Sequence, residues 1–291
     1  ARVCEQKQPF TGDASVDSYV ALKTLFGIEE KSTFEPLTLS VVQNKPGIVK
    51  MHSFFWDFND RRLNLLFEYC RGGSLEDYLQ STRDVPAEAI LSWAIQLCDC
   101  LGHLGGVVHH DITPRNVLFA DESRTSLKLV DFGVALLPGD LVKLKGLSCS
   151  VAPECFHDRA RGTPKSDVWS VGILLLQAMH PDSSRFLAGW RQCKSAVDLA
   201  IWVNEALTAV SAVQKYRREF VQAVRWMLEL DPDARPSPTS AHTRFTSISS
   251  ALHGLPVELS TDYGRARGAY SACPKDEFGA VASLHTRTYR V

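Results

Sequence analysis

No apolar run in this chain is long enough to cross a bilayer as a helix. Such a helix needs about 18 residues. The longest candidate, Val168 to Met179, is interrupted by Ser170, Gly172 and Gln177. An excess of either charge is missing too: 32 Lys and Arg stand against 33 Asp and Glu, a formal net charge of −1. A general nucleic-acid binder is usually basic, so nucleic acid is not an expected partner. There is no internal repeat and no low-complexity segment. Glycine is sparse at the start, where Gly12 is the only one before Lys23. The opening residues include Arg2, Glu5 and Lys7 and do not read as a signal peptide. Because the sequence starts at Ala1, a trimmed natural N-terminus is expected.

What is present is globular. Hydrophobic residues make up 45% and charged residues 22% of 291, which excludes disordered, collagen-like and coiled-coil chains. A chain of this length buries roughly three quarters of its unfolded surface, as one large domain or two small ones. Eight cysteines (Cys4, Cys70, Cys98, Cys100, Cys149, Cys155, Cys193 and Cys273) fit either disulfides or buried thiols, and alone they do not fix the compartment. Cys98, Cys100 and His103 do not read as a zinc site, because a helix turns the two cysteines about 200° apart.

The first 70 residues read as short strands with one helix. Tyr19 to Lys23, Ile48 to Phe55 and Leu63 to Phe67 are strand-like, and Lys45-Pro46-Gly47 is a turn signal. Ser32 or Thr33 can cap a short helix that tolerates Pro36 only in its first turn. After Arg71-Gly72-Gly73 the pattern turns helical. Ile90, Trp93, Ala94, Leu97, Cys98, Leu101 and Leu104 form one stripe. Val168 to Met179 is apolar all round, as a buried helix would be, and Phe220, Val224, Met227 and Leu228 mark another helix. Trp93, Trp169 and Trp226 are expected in the core. The fold class is α+β: a small β-rich lobe over 1–70, a larger helical lobe over 71–245, and an extension over 246–291.

The chemistry-bearing residues come in order. His109-His110-Asp111-Ile112-Thr113-Pro114-Arg115-Asn116 supplies a carboxylate and, five residues on, an amide. Asp131-Phe132-Gly133 adds a second carboxylate after the apolar stretch Leu127 to Val130. Lys23 ends a Val-Ala-Leu-Lys run. Phosphoryl transfer from ATP uses such groups: one Asp orients the attacking hydroxyl, while an Asn and a second Asp hold Mg²⁺. Ala152-Pro153-Glu154, Asp167-Val168-Trp169-Ser170 and Arg235 complete the series.

With these motifs in register from about Val3 to Arg235, the chain resembles the eukaryotic protein kinases, which implies a bilobal fold. By position, Lys23 resembles the phosphate-pairing lysine, Asp111 the catalytic base, and Asn116 and Asp131 the metal ligands. Phe67 sits at the gatekeeper position, Glu68 to Cys70 resemble the adenine-binding hinge, and Ala21 and Leu118 the residues that sandwich adenine. Glu35 is the best partner for Lys23, with Glu29 and Glu30 as alternatives. Met51, Leu39, His109 and Phe132 resemble the packed column of an active kinase, and Glu154 would pair with Arg235. The implied cofactors are ATP and Mg²⁺, and the implied partners are protein substrates or, in a pseudokinase, scaffold partners.

Some positions depart from the family. No glycine-rich loop precedes Lys23, either because it lies upstream or because the protein lacks it. His110 stands where the family keeps the arginine that binds a phosphorylated activation segment, so that form of switching is not expected. Thr113 replaces the usual lysine, and Leu147 the threonine that contacts it. Ser148 and Ser150 are expected to be exposed loop serines, with Val134, Leu136, Leu141 and Leu144 packing the segment down. A missing glycine loop with the acidic and amide groups retained is similar to the With-No-Gly-loop (WNG) kinases secreted by apicomplexan parasites. That resemblance implies a dense-granule protein of the parasitophorous vacuole or cyst wall, with at least one disulfide; without it, the expectation is a cytoplasmic protein. The expected function is an atypical Ser/Thr protein kinase, the alternative a pseudokinase scaffold.

Overall fold

The computed structural model describes residues 2–6, 19–26, 34–140, 150–156, 162–193 and 195–253. Glu29, Glu30, Ser32, Thr33, Leu141, Leu144, Leu147, Ser148, Cys149 and Cys273 lie outside them. In the first lobe β1 (Arg2–Gln6), β2 (Val20–Phe26), β3 (Met51–Asp57) and β4 (Arg62–Glu68) form an antiparallel sheet in the order β1-β2-β4-β3. β4 sits centrally, with Leu63, Leu65 and Phe67 buried on one of its faces and Asn64 buried on the other. Helix α1 (Phe34–Val42) contributes Leu39 and Val42 to the core. Its Pro36 falls in the first turn, where a missing N–H breaks no intrahelical bond.

β3 begins at Met51, three residues later than expected. Ile48 bridges to Leu129, the Val49 N–H donates to the Leu129 carbonyl at 3.1 Å, and the Leu129 N–H donates to the Gly47 carbonyl at 2.7 Å. Those residues are committed to the second lobe and cannot also pair with β4.

The chain leaves β4 through Tyr69–Gly73. A Cβ on Gly72 would collide with the Asp121 carbonyl and with Phe119, and Gly73 adopts φ 78°. Both glycines are therefore required where the lobes join. Ser74 then caps α2 (Leu75–Ser81) in a reciprocal box with Asp77.

The second lobe is helical around α3 (Ala87–His103) and α4 (Pro164–Met179), and it carries the hairpin β5 (Val117–Phe119) and β6 (Leu127–Leu129). The stripe read from Ile90 to Leu104 is buried, and α4 is buried nearly all round. Then follow α5 (Ser183–Trp190), α6 (Ala196–Ala212), α7 (Arg218–Met227) and α8 (Pro238–His253).

Two expectations fail here. Helix α8 crosses the boundary expected after residue 245: Phe245 and Ile248 are buried and Leu252 packs on the core, so the helical lobe continues to His253. Trp226 is not core. It is 37% exposed, because the buried stripe of α7 runs through Phe220, Val221, Val224 and Met227, and its indole N–H donates to the Ala234 carbonyl. Trp93 and Trp169 are buried as expected. No helix among the described residues is long and apolar enough to cross a membrane.

Candidate active site

Lys23 projects from β2 to Glu35 on α1, with Nζ 2.9 and 2.8 Å from the two carboxylate oxygens. The same ammonium donates to Asp131 Oδ1 at 2.7 Å. Burial would lower the Lys23 pKa, but the facing Glu35 and Asp131 carboxylates outweigh it and hold it raised. Burial raises the Glu35 pKa against the pull of Lys23. For Asp131 the balance falls the other way: burial is outweighed by the Lys23 charge and by hydrogen bonds from Lys23 and the Gly133 N–H, so its pKa is lowered. Of the three glutamates considered for Lys23, Glu35 makes the pair, while Glu29 and Glu30 lie outside the described residues.

Asp131 adopts φ 64°, a left-handed conformation that costs a non-glycine residue about 1–3 kcal/mol. Its neighbours over-determine it. The Val130 N–H donates to the Asn116 carbonyl at 3.0 Å, and the Val130 carbonyl lies 2.9 Å from His109 Nε2. Phe132 is fully buried, with its ring 4.6 Å from that of His109 in an edge-on contact. His109 in turn receives the Asp111 N–H on Nδ1 at 3.3 Å. These two bonds define a neutral tautomer with the proton on Nε2. Burial pushes the His109 pKa down to about 4.

From α4, the buried Asp167 carboxylate accepts the backbone N–H groups of His109 and His110 at 2.7 and 2.9 Å. Burial raises its pKa to about 7 despite those donors. His110 carries φ 65°, and burial lowers its pKa although Asp111 opposes this. Asp111 and Asn116 meet across a 3₁₀ turn, Pro114–Asn116. The Asn116 side chain donates to the Asp111 carbonyl at 2.9 Å and to its Oδ2 at 2.8 Å. Burial raises the Asp111 pKa, Asn116 draws it back, and Asp131 adds to the rise.

Ala21 lies opposite Phe67 in the β2–β4 register, and Leu118 bridges to Ser74 beside the joining segment. The Glu68 N–H is committed to the Lys50 carbonyl at 2.9 Å. The Glu68 carboxylate accepts the Lys50 N–H at 2.8 Å and the Lys128 ammonium at 2.9 Å, so this side chain fastens the joint and does not face a ligand. Sequence reasoning missed Lys128, and nothing in a lone lysine 60 positions from its partner could have revealed it. The Cys70 thiol is buried with its pKa pushed up to about 11, so Cys70 can contribute backbone but not a thiolate.

Glu154 and Arg235 form the expected pair, bidentate at 2.8 and 3.0 Å, with Arg235 also donating to the Lys165 and Glu229 carbonyls. Two expectations about the activation segment change. Ser150 is 2% exposed, with its carbonyl accepting the Ser170 hydroxyl at 2.6 Å, so it is not an exposed serine. Val134 is 51% exposed and does not pack the segment down, whereas Leu136 does, exchanging backbone bonds with Val108 at 2.8 and 2.9 Å. Cys70, Cys98, Cys100, Cys155 and Cys193 carry free thiols. Among the described residues no group of three or more His, Cys, Asp or Glu side chains is arranged to hold a metal by itself.

The chain matches the protein kinase domain over residues 14–245. It is similar to CBL-interacting serine/threonine-protein kinase 21 of Arabidopsis thaliana, at 30% identity over 179 residues (57% of this chain, 42% of that one). Similarity to serine/threonine-protein kinase cds1 of Schizosaccharomyces pombe is 30% over 231 residues (74% and 48%). To serine/threonine-protein kinase ULK3 of Rattus norvegicus it is 34% over 139 residues (46% and 29%). The chain thus spans less than half the length of these relatives. A match covering both lobes, on a scaffold that brings Lys23, Glu35, Asp111, Asn116 and Asp131 together, shows that this chain belongs to the protein kinase domain family.

Proposed function

We propose that this chain is a Ser/Thr protein kinase domain that transfers the γ-phosphoryl group of ATP to a hydroxyl of a protein substrate, with Mg²⁺ as the metal. The observation that carries this reading is the continuous link Glu35–Lys23–Asp131, with Asn116 joined both to Asp111 and, through Val130, to the backbone beside Asp131. A scaffold without chemistry has no need to hold all five groups in one network.

The donor set fits a hard, oxygen-seeking cation, since Asp131 offers a carboxylate and Asn116 an amide oxygen. These two would hold Mg²⁺, which when bound neutralises phosphate charge. Lys23, kept charged by its two carboxylates, would pair with the phosphates. Asp111, oriented by Asn116, would accept the hydroxyl proton at its carboxylate. Ala21 and Leu118 would sandwich adenine, with Phe67 behind it and Cys70 offering backbone.

The pseudokinase reading is favoured by His110 and Thr113 standing where kinases keep basic residues. Radiolabel transfer to a generic basic substrate protein separates the two. Transfer by wild type that is absent in Asp111→Ser supports catalysis, and no transfer by either protein supports the pseudokinase.

The narrower assignment to the secreted WNG kinases, with its dense-granule location, rests on the resemblance: no glycine-rich loop before Lys23, with Asp111, Asn116 and Asp131 retained. Sequence upstream of Ala1 tests it: three closely spaced glycines would return the chain to the ordinary, cytoplasmic kinases.

A further inference from the structure

The N-lobe sheet ends in β3, and among the described residues no strand pairs with its outer side. Edge strands are usually blunted by lysine, proline or a charge within the strand. Here β3 carries its one carboxylate, Asp57, at its last position, and the stretch before it reads Met51-His52-Ser53-Phe54-Phe55-Trp56, without lysine, proline, Asp or Glu. Phe54 is 48% and Phe55 49% exposed, and Phe58, one residue beyond the strand, is 83% exposed. The two strand phenylalanines lie on opposite faces, Phe54 opposite Leu65 and Phe55 opposite Asn64. Both faces of the edge thus present half-exposed aromatic surface.

We propose that β3 pairs antiparallel with β3 of a second copy of this chain, joining two N-lobe sheets about a two-fold axis that passes beside Phe54. The strand is self-complementary in this register. Phe54 meets Phe54, and Ser53 meets Phe55. The register irregularity between Met51 and Ser53 absorbs one residue, so Met51 comes to Trp56 and Lys50 to Asp57. Every one of these pairs places side chains on a common face, because the irregularity moves Lys50 to the face shared by Phe55 and Asp57. A cation at one end and an anion at the other face each other when the strand meets its own reversed copy. That charge match is the reason for choosing a second copy over a foreign peptide strand. The two-fold axis also brings both α1 helices, with their exposed Leu37 and Val41, onto the same face of the joined sheet. A single strand edge buries less than the roughly 1,200 Å² typical of stable complexes, so the dimer forms only at high concentration.

Sedimentation equilibrium of the whole chain between about 1 and 300 μM, the range where a weak interface is populated, provides the test. The expected result is a concentration-dependent dimer for wild type. Phe54→Lys and Phe55→Lys should stay monomeric with unchanged melting temperatures, and Lys50→Glu should dimerise at least tenfold more weakly. A wild type that remains monomeric, including one that takes up an added peptide strand instead, overturns the proposal, as does a dimer that survives both phenylalanine variants. If those variants do not fold, amide exchange of residues 51–57 in wild type decides. Slower exchange at 300 μM than at 5 μM supports the pairing, and identical exchange overturns it. None of these readouts depends on phosphoryl transfer.

Discussion

The Asn116 side-chain amide holds Asp111 at two points, its carbonyl at 2.9 Å and its carboxylate at 2.8 Å. This double contact leaves Oδ1 as the carboxylate oxygen that Asn116 does not hold.

Replacing Asp111 by Ser should therefore lower phosphoryl transfer by about 10²–10⁴-fold, the usual contribution of a positioned acid or base. The melting temperature should hold, because the Asp111 carbonyl still receives Asn116. Steady-state transfer and a thermal melt check both parts. Unchanged activity would remove Asp111 from the chemistry.

For Asp131→Ala, nucleotide stabilisation of the fold should become independent of Mg²⁺. A bound ligand at a hundred times its Kd stabilises by about 2.7 kcal/mol. Wild type with ATP should show such a rise only when Mg²⁺ is added, and EDTA should remove it. A variant that still responds to the metal would move the metal site elsewhere.

His109 gives the fold an acid limit. Its folded pKa of about 4 lies below the ordinary 6.5, so the folded state favours neutral imidazole. The associated stability is complete above pH 6.5 and is lost as pH falls toward 4, by about 3 kcal/mol across that window. Protonating Nδ1 also removes the acceptor of the Asp111 N–H. Urea melts at pH 7 and pH 4 should show a smaller acid loss for His109→Phe than for wild type. Equal losses would place the titrating group elsewhere.

A phosphate on Ser150 should unfold its surroundings rather than order them. The residue is 2% exposed, and a buried, unpaired charge costs several kcal/mol. Ser150→Asp should lower the melting temperature by several degrees and reduce transfer, while Ser150→Ala should stay within about threefold of wild type, roughly 0.7 kcal/mol in barrier. Activation by the aspartate would contradict this.

Much of the site is legible in the sequence because its residues are punctuation within short motifs. Asp111 and Asn116 lie five positions apart in one loop, and Asp131 follows an apolar strand. The Lys23–Glu35 pair required the helix of Glu35 to be placed, and Pro36 marked its first turn. The rest is not legible where distant segments compete for the same atoms. Ile48 and Val49 read as strand, yet their backbone goes to Leu129. α8 is a Ser- and Thr-rich segment whose apolar residues are too sparse to announce a helix, and its burial is imposed by α3 and α7. Ser150 looks like an ordinary loop serine, and only its neighbour Ser170, twenty positions away, shows that it is enclosed.

Lys128 sits on β6 and reaches both the Glu68 carboxylate and the Ile48 carbonyl, while Glu68 also receives the Lys50 N–H. One ammonium therefore fastens both the end of β4, where the chain leaves the first lobe, and the α1–β3 connection that docks on Leu129. Removing that ammonium would loosen both attachments at once.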